Sequence, residues 1–205
     1  MSTGVATNPA PSTTAQIPEP PLARFLFADT RLAWFWLLVR LYTGWQWLDA
    51  GIGKIGNPAW VGANAGSALT GFINGAISKS AGDAPTVDAT YASFLQAFVL
   101  PHAAFWSWAV VLGEIAIGLG LIVGCLTGVA AFFGGLLNVN YLFAGTLSTN
   151  PLLFVLATWL VLAWRVAGWW GIDRWLLPLL GTPGAPGTLM QHGGTQARVD
   201  AKPTS

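Results

Sequence analysis

Four apolar stretches, each close to the length of a membrane-spanning helix, dominate the chain and restrict what it can fold into. They cover residues 31–48, 103–123, 127–146 and 151–170. A helix needs roughly 20 residues, at about 1.5 Å per residue, to cross the ~30 Å hydrocarbon core of a bilayer. Charged residues make up only 8% of the chain, against roughly 25% in an ordinary soluble domain. The sequence therefore predicts an all-α fold, a transmembrane four-helix bundle.

A long segment, residues 49–100, separates the first two stretches and mixes glycine and polar residues with short apolar groups. Apolar residues recur at helical spacing in two places within it, which are Ala68, Leu69, Phe72, Ile73, Ala76 and Ile77, and then Tyr91, Phe94, Leu95, Phe98 and Val99. This spacing is typical of short amphipathic helices that lie on a bundle or in the membrane interface. We therefore expect a long extracytoplasmic loop that carries two such helices and begins where Gly51 and Gly53 break the first span.

The two ends of the chain show no pattern that predicts packing. Residues 1–21 are rich in Pro, Ser, Thr and Ala, and residues 181–205 are rich in Gly, Pro and Thr. Both compositions are typical of disordered segments, so the transmembrane domain is expected to occupy residues 22–180. The first basic residue is Arg24, whereas a secretory signal peptide begins with basic residues and a short apolar run. We therefore expect no signal peptide.

Lysine and arginine residues near the spans predict the orientation of the chain in the membrane. Six of them lie before or at the start of the first span or at and after the end of the fourth, namely Arg24, Arg31, Arg165, Arg174, Arg198 and Lys202. Lys54 and Lys79 lie in the long loop. Because cytoplasmic segments carry the excess of Lys and Arg, we expect a multi-pass protein of the cell (plasma) membrane with both termini cytoplasmic.

The charge balance and the scarcity of Cys and His exclude several classes of function. A net charge of +1 gives no field that would gather nucleic acid, so no nucleic acid is expected as a partner. Cys125 is the single cysteine, which excludes an internal disulfide and a closed zinc or iron–sulfur site. It is interpreted as a small apolar filler rather than a redox thiol. The chain has only two histidines in addition to this cysteine. We therefore expect no metal and no covalently bound cofactor.

Small residues at four-residue spacing predict which helices pack most closely. Ala116, Gly120, Gly124 and Gly128 form one row, and Ala131 and Gly135 form another. Small side chains let helix backbones approach each other in hydrocarbon, where close packing drives association. The rows favour a tight hairpin of the second and third spans, although glycine is common in membrane helices for other reasons as well.

Two residues of opposite charge lie deep in the first two spans. Arg40 is about nine residues into the first span, roughly 13 Å along its axis, and Glu114 lies at a similar depth in the second. A charge at that depth costs several kcal/mol unless it is paired or hydrated. We expect both residues to face the bundle interior together, as a structural ion pair that sets helix register or as a site for a proton or an anion.

The third span carries two amides, Asn138 and Asn140, which would be unsatisfied against lipid. Two residues apart on a helix, they cannot share one face. Asn138 stacks over Gly134, so we expect it to point inward. Its amide is either an interhelical hydrogen-bonding group or a contact for substrate.

Three more candidates lie near the outer ends of the first two spans. Lys54 is either an ordinary interfacial lysine or, with Arg40, part of a positive path into the bundle that suits an anion or a quinone carbonyl. Asp49 and Lys54 bracket the glycines that break the first helix at its outer end, and Asp49 is either an ordinary interfacial charge or a contact for substrate. His102 follows Pro101 and is placed either to donate a proton or to cap a helix.

Several blocks of sequence follow one another in a recognisable order. They are RLYTGWQWLDAGIGK (residues 40–54), NPAW (57–60), LGEIAIGLGLIVG (112–124), LTGVAAFFG (126–134) and NVNYLFAGTLSTNP (138–151). With these blocks the chain resembles, over residues 31–178, the DoxX/DoxD family of small four-helix membrane proteins. DoxD members form the membrane subunit of thiosulfate:quinone oxidoreductase, whereas other members are described as partners of redox enzymes in thiol stress or only as membrane proteins.

The resemblance implies that electrons pass from a small sulfur compound such as thiosulfate to quinone, the acceptor substrate. In this interpretation Glu114 exchanges protons, while Arg40 and Lys54 hold an anionic substrate or a developing quinol anion. Asn138, Asp49 and His102 are the remaining candidate substrate contacts. The thiosulfate enzyme has a second, smaller subunit, so a separate redox protein is expected as a partner besides membrane lipid.

Two other functions are compatible with the same sequence. The chain is alternatively a non-catalytic membrane anchor or assembly partner whose outer loop docks a redox protein. A small-solute transporter or channel is disfavoured because the four spans show no inverted internal repeat.

Overall fold

The computed structural model describes residues 18–182 and 185–189, in which the regular secondary structure is helical apart from one short strand pair. The helices are α1 (Pro21–Ala28), α2 (Ala33–Ile55), α3 (Ser67–Ser78), α4 (Ala89–Phe94), α5 (Ala103–Val123), α6 (Thr127–Phe143), α7 (Asn150–Leu162), α8 (Trp164–Ala167) and α9 (Asp173–Leu180). Strands β1 (Gly181–Thr182) and β2 (Ala185–Pro186) pair antiparallel. The all-α class predicted from the apolar periodicity is confirmed.

One continuous helical stretch is long and apolar enough to cross a membrane. It runs for 35 residues, Ala89–Val123, because a π-helical segment (Leu95–Val99) and a 3₁₀ turn (Leu100–His102) join α4 to α5. Its most apolar 18-residue window has a mean hydropathy of 1.9. Among the other described helices, α6 and α7 are apolar but shorter, with 17 and 13 residues. The second apolar stretch is thus part of a helix that begins well before residue 103.

The first and fourth apolar stretches fold into helices whose bounds differ from the predicted spans. α2 continues through Gly51 and Gly53 to Ile55, so the break expected after residue 48 is wrong. Gly51 has a packing role there, because a Cβ added to it would lie 2.6 Å from Cγ1 of Ile115 on α5. The fourth stretch, expected as one helix over 151–170, is divided at Ala163, which separates α7 from α8.

Both helices predicted within the long loop are present, as α3 and as α4 with its π-helical continuation. Leu69 and Ile73 of α3 and Leu95 of the π-helical segment are buried together against Ala144, at the end of α6. The Tyr91 hydroxyl donates to the Asn140 carbonyl at 3.0 Å and ties α4 to α6. The loop therefore covers one end of the bundle.

The described part of the predicted C-terminal tail contains more regular structure than its composition predicts, whereas the predicted N-terminal arm ends where α1 begins. Of the N-terminal arm, residues 1–17 lie outside the described residues, and α1 begins at Pro21. The indole nitrogen of Trp36 donates to the Leu26 carbonyl at 2.8 Å, which joins α1 to α2. In the predicted C-terminal tail, Gly181 pairs with Pro186, while residues 183–184 and 190–205 lie outside the described residues. The predicted tail therefore begins with a paired segment.

The most closely packed helix pair is α2 with α5, not the predicted hairpin of α5 with α6. A Cβ added at Gly118 would lie 2.6 Å from the backbone nitrogen of Leu48, and one at Gly44 would lie 2.9 Å from Cβ of Leu121. Such contacts require glycine, because any side chain would separate the backbones. Between α5 and α6 lies an apolar groove of about 760 Å³, and Gly120 lines it.

Gly118→Ala is expected to lower the free energy of unfolding by about 1–3 kcal/mol, because the new Cβ would overlap the Leu48 backbone and force α2 and α5 apart. Gly53→Ala is the matched control. Nothing lies within 4 Å of a Cβ added at Gly53, and alanine favours a helix over glycine by about 0.5–1 kcal/mol. Thermal unfolding of both variants in one detergent measures the difference. Equal melting temperatures would contradict the close contact of α2 and α5.

Candidate functional site

A buried carboxylate, Glu114 on α5, is held by residues from two other helices. The Nζ of Lys54 on α2 donates to both carboxylate oxygens at 2.7 Å, and the Tyr141 hydroxyl on α6 donates to Oε1 at 2.7 Å. Glu114 is 1% exposed, whereas the Lys54 side chain is 20% exposed. Hydrogen bonds of this length to a charged group are about twice as strong as neutral ones. We call these three residues the Glu114 cluster.

The antiparallel register of α2 and α5 explains why Lys54 reaches Glu114. A Cβ added at Gly51 would lie 3.0 Å from the backbone nitrogen of Ile115 and 3.3 Å from Cβ of Glu114. Lys54 follows about one turn later on α2 and extends its side chain over the same part of α5. The contact exists only because α2 remains helical through Gly51 and Gly53.

The Glu114 cluster lines a cavity of about 390 Å³ that lies between α2, α5, α6 and the start of α7. Aromatic residues line part of it, namely Trp47, Trp60, Phe72 and Tyr141. The rings of Trp47 and Tyr141 stack with centroids 6.5 Å apart, and Nζ of Lys54 lies 5.2 Å from the Trp60 ring. Its lining also includes polar residues, namely Gln46, Asp49, Thr146, Ser148, Thr149 and Asn150. The cavity therefore combines flat apolar walls with an acid, an amine and a phenol.

Arg40 lies toward the other end of the bundle and not beside Glu114. Its Nη2 donates to the Trp170 carbonyl at 3.2 Å, and its guanidinium packs against Gly124 and Gly171. Gly124 follows Glu114 by ten residues along the chain, which is about 15 Å along a helix axis. Arg40 and Glu114 are both buried, as expected, but the expected meeting of the two charges does not occur.

Arg40 contacts several parts of the chain, although its Nε and Nη1 are buried and have no hydrogen-bond partner among the described residues. Next to it, Asp173 accepts hydrogen bonds from the backbone nitrogens of Leu126 and Thr127, at 2.6 and 2.8 Å, and so caps the start of α6. Arg40 joins the same turn between α5 and α6 to the segment before α9 through its contacts with Gly124 and Gly171. These contacts connect α2, the turn between α5 and α6, and the segment before α9 at this end of the bundle.

Two buried polar side chains close to the Glu114 cluster have no hydrogen-bond partner within the described residues. Asn138, one turn before Tyr141 on α6, is fully buried, and both its Oδ1 and Nδ2 are unpaired. Nε1 of Trp47 is also unpaired and lies 3.0 Å from the position of a Cβ on Gly134, one turn before Asn138. An unpaired buried amide costs about 1–3 kcal/mol. Asn138 thus faces the interior, as its stacking over Gly134 predicts.

Asn138→Leu is expected to raise the free energy of unfolding by about 1–2 kcal/mol, because leucine has the same branching and removes both unpaired polar atoms. Asn140→Leu is the matched change on the same helix. It is expected to lower stability by about 1 kcal/mol, because the Asn140 amide donates to the Leu136 carbonyl and accepts from the Tyr91 hydroxyl. Thermal unfolding compares the two variants. If Asn138→Leu melts below Asn140→Leu, the expectation that the unpaired Asn138 amide destabilises the fold is wrong.

Of the other predicted site residues, Asp49 lines the cavity, whereas His102 is exposed before the start of α5 and does not line it. Two residues that contact the site, Tyr141 and Trp60, were not among the predicted site residues. A buried phenol hydroxyl usually has a hydrogen-bond partner, and this rule would have indicated Tyr141. No such signal exists for Trp60, because it lies in the irregular segment between α2 and α3.

The geometry of the Glu114 cluster suits proton exchange with a bound ligand, because a carboxylate, an ammonium and a phenol meet at one wall of a cavity. Among residues 18–182 and 185–189, no three His, Cys, Asp or Glu side chains are grouped as ligands for a metal ion. No protein-family model, curated protein or solved structure was found to match the chain.

Proposed function

We propose that the chain is a four-span protein of the plasma membrane, with both termini cytoplasmic. Each of α2, α5, α6 and α7 turns large apolar side chains outward, and exposed examples are Leu38, Trp45, Leu112, Leu119, Phe132, Leu136, Val155 and Leu162. Apolar surface on every helix of the bundle favours contact with lipid. Arg165 and Arg174 lie beyond α7, at the end of the bundle away from the Glu114 cluster, which supports a cytoplasmic assignment of that end.

In this membrane the protein acts as a subunit of a quinone-linked oxidoreductase, which passes electrons from a small sulfur compound such as thiosulfate to the quinone pool. The observation that carries this proposal is the Glu114 cluster at the wall of an aromatic cavity. A cavity of about 390 Å³ is large enough for a small planar ring, and flat walls such as Trp47 and Tyr141 favour stacking with it. The order of sequence blocks that resembles the DoxX/DoxD family supports the same assignment.

The side chains of the cluster match what quinone reduction needs. Conversion of a quinone to its quinol takes two electrons and two protons, and oxidation of two thiosulfate ions to tetrathionate releases two electrons. In this proposal the Glu114 carboxylate takes up protons that enter from water and passes them, together with the Tyr141 hydroxyl, toward the quinone oxygens. The Lys54 ammonium stabilises the negative charge that develops there. Electrons pass directly from donor to quinone or arrive through a separate redox subunit.

A second function, a non-catalytic anchor or assembly partner of a redox complex, is favoured by one feature of the same site. Both oxygens of Glu114 already have hydrogen-bond donors, so the pair with Lys54 is complete without a ligand. An ion pair that is complete in this way can have a purely structural role, in which it sets the register of two helices. In that case α3 and α4, which cover the adjoining end of the bundle, are the surface on which a redox protein docks.

The decisive experiment is an assay of the detergent-purified protein, with any subunit that co-purifies, using thiosulfate as donor and a short-tailed quinone as acceptor. The proposal expects quinol formation that depends on both thiosulfate and the protein. A preparation that retains its partner, identified by mass spectrometry, yet forms no quinol would overturn the oxidoreductase assignment and favour the anchor.

A further inference from the structure

A second cavity, of about 320 Å³, lies at the end of the bundle away from the Glu114 cluster. Four parts of the chain form it, namely the turn after α1, α8 with the turn that follows it, α9, and β1. Its polar lining includes Thr30, Arg165, Arg174 and Thr182. The cavity shares no lining residue with the cavity at Glu114, so the two sites are separate.

The two arginines of this cavity have no carboxylate partner among residues 18–182 and 185–189. Asp173 also lines the cavity, but it is 1% exposed and both of its oxygens accept backbone hydrogen bonds at the start of α6. Arg31 follows the lining residue Thr30 but differs from the two arginines of the cavity. It donates three side-chain hydrogen bonds to Asp29 and holds the pKa of that carboxyl below its usual value. The cavity therefore has an excess of positive charge.

Aromatic rings lie beside both arginines, whose side chains are exposed. The Arg174 guanidinium lies 5.0 Å from the Trp169 ring and 5.9 Å from the Trp175 ring, and that of Arg165 lies 5.4 Å from the Trp164 ring. A guanidinium stacked on a ring keeps its N–H groups directed outward in its own plane, where they can donate to an anion. Phosphate oxygens are well matched to two such planar donors.

The surface around the cavity is apolar and aromatic. Trp169, Trp170 and Trp175 are 37%, 58% and 65% exposed, and Leu179 and Leu180 beside them are 45% and 43% exposed. Exposed tryptophans of this kind are typical of the level at which lipid head groups meet hydrocarbon. A ligand bound here would have its charged part at the arginines and apolar parts against these rings. This combination distinguishes a lipid from a free phosphate ion.

We propose that this cavity binds the phosphate head group of an anionic phospholipid, with Arg165 and Arg174 as the donors to the phosphate. Basic pockets between the helices of membrane proteins bind such head groups on the cytoplasmic side. The inference rests on the membrane location in the proposed function, but not on quinone chemistry. Under this proposal, α8 and α9 help to anchor the bundle in the membrane.

The test uses the full chain in an uncharged detergent with equal amounts of phosphatidylglycerol and phosphatidylcholine, and native mass spectrometry counts the lipids that stay bound. The wild type is expected to retain phosphatidylglycerol preferentially. Each of Arg165→Gln and Arg174→Gln should reduce that preference about five-fold, because a basic residue near an anionic surface contributes about that factor. Arg24→Gln removes the same charge from α1, outside the cavity, and should keep the wild-type preference.

Three results would overturn the proposal. The first is equal retention of the two lipids by the wild type. The second is an equal loss in the Arg24→Gln and Arg165→Gln variants, which would indicate a general surface charge. The third is protection against thermal unfolding by glycerol 3-phosphate as strong as that by phosphatidylglycerol, which would indicate a site for free phosphate esters. If alkaline carbonate washes the protein from membranes, the membrane proposal itself fails, whereas loss of quinone reduction alone leaves the lipid site intact.

Discussion

Glu114→Gln is expected to lower the turnover of quinone reduction by about 10²–10⁴-fold, while the protein stays folded and keeps its partner. The glutamine amide has nearly the shape of the carboxylate and its oxygen can still accept from Tyr141. It cannot take up and release the proton that the proposed function assigns to the carboxylate. Because the ligand would still meet the same cavity walls, the loss should appear in kcat more than in KM.

Steady-state quinone reduction with thiosulfate measures this effect, with Asp83→Asn as the matched control. Asp83 is an exposed acid in the loop between α3 and α4 and does not line the cavity, so its amide variant should keep wild-type turnover. Co-purification of the partner and the melting temperature confirm that each variant is assembled. Wild-type turnover in an assembled Glu114→Gln protein would show that Glu114 takes no part in the reaction.

Lys54→Met is expected to lower the free energy of unfolding by about 3 kcal/mol, because it leaves the Glu114 carboxylate buried without its ionic partner. Removal of one member of a buried pair costs about 3–5 kcal/mol, and the lower end applies here because the Lys54 side chain is 20% exposed. Thermal unfolding in detergent at one pH measures the loss. A shift no larger than that of an exposed lysine such as Lys79→Met would contradict it.

The double change Lys54→Met with Glu114→Leu separates the two proposed functions. Replacing both charges by apolar groups should recover most of the lost stability, because no unpaired charge remains. If the pair only sets the register of α2 and α5, the double variant should also retain partner binding and whatever activity the complex has. If the pair takes part in quinone reduction, the double variant should be stable and inactive.

The helices could be located from sequence because their signal is local. Apolar residues at helical spacing predicted α3 and α4 within an otherwise polar loop, and the long apolar runs predicted α5, α6 and α7. The bounds were less predictable where tertiary contacts override composition. Gly51 was expected to break the helix, but α2 continues through it. The missing side chain of Gly51 lets Ile115 of α5 approach closely. The division at Ala163 has no comparable signal in the sequence.

The pairing of charges could not be predicted from depth along each span. Counted from the predicted ends, Arg40 and Glu114 lie at similar depths. In the structure α2 runs to Ile55 and not to residue 48. Arg40 therefore lies nearer to the start of the helix than predicted, and Lys54 is within reach of Glu114. Arg40 and Lys54 lie about four turns apart on α2, so the register of α2 against α5 decides which of the two cations meets Glu114.

By itself, the sequence determined the all-α class, the approximate positions of the helices and the presence of buried charges, since these follow from composition and from the 3.6-residue period. Only the tertiary structure decided which of those charges meet. That outcome depends on the register of α2 against α5, which is set by close backbone contacts at Gly44, Gly51 and Gly118. Such contacts join residues far apart in the chain, so no local pattern encodes them. They bring Glu114 to Lys54, and they place Arg40 at the opposite end of the bundle.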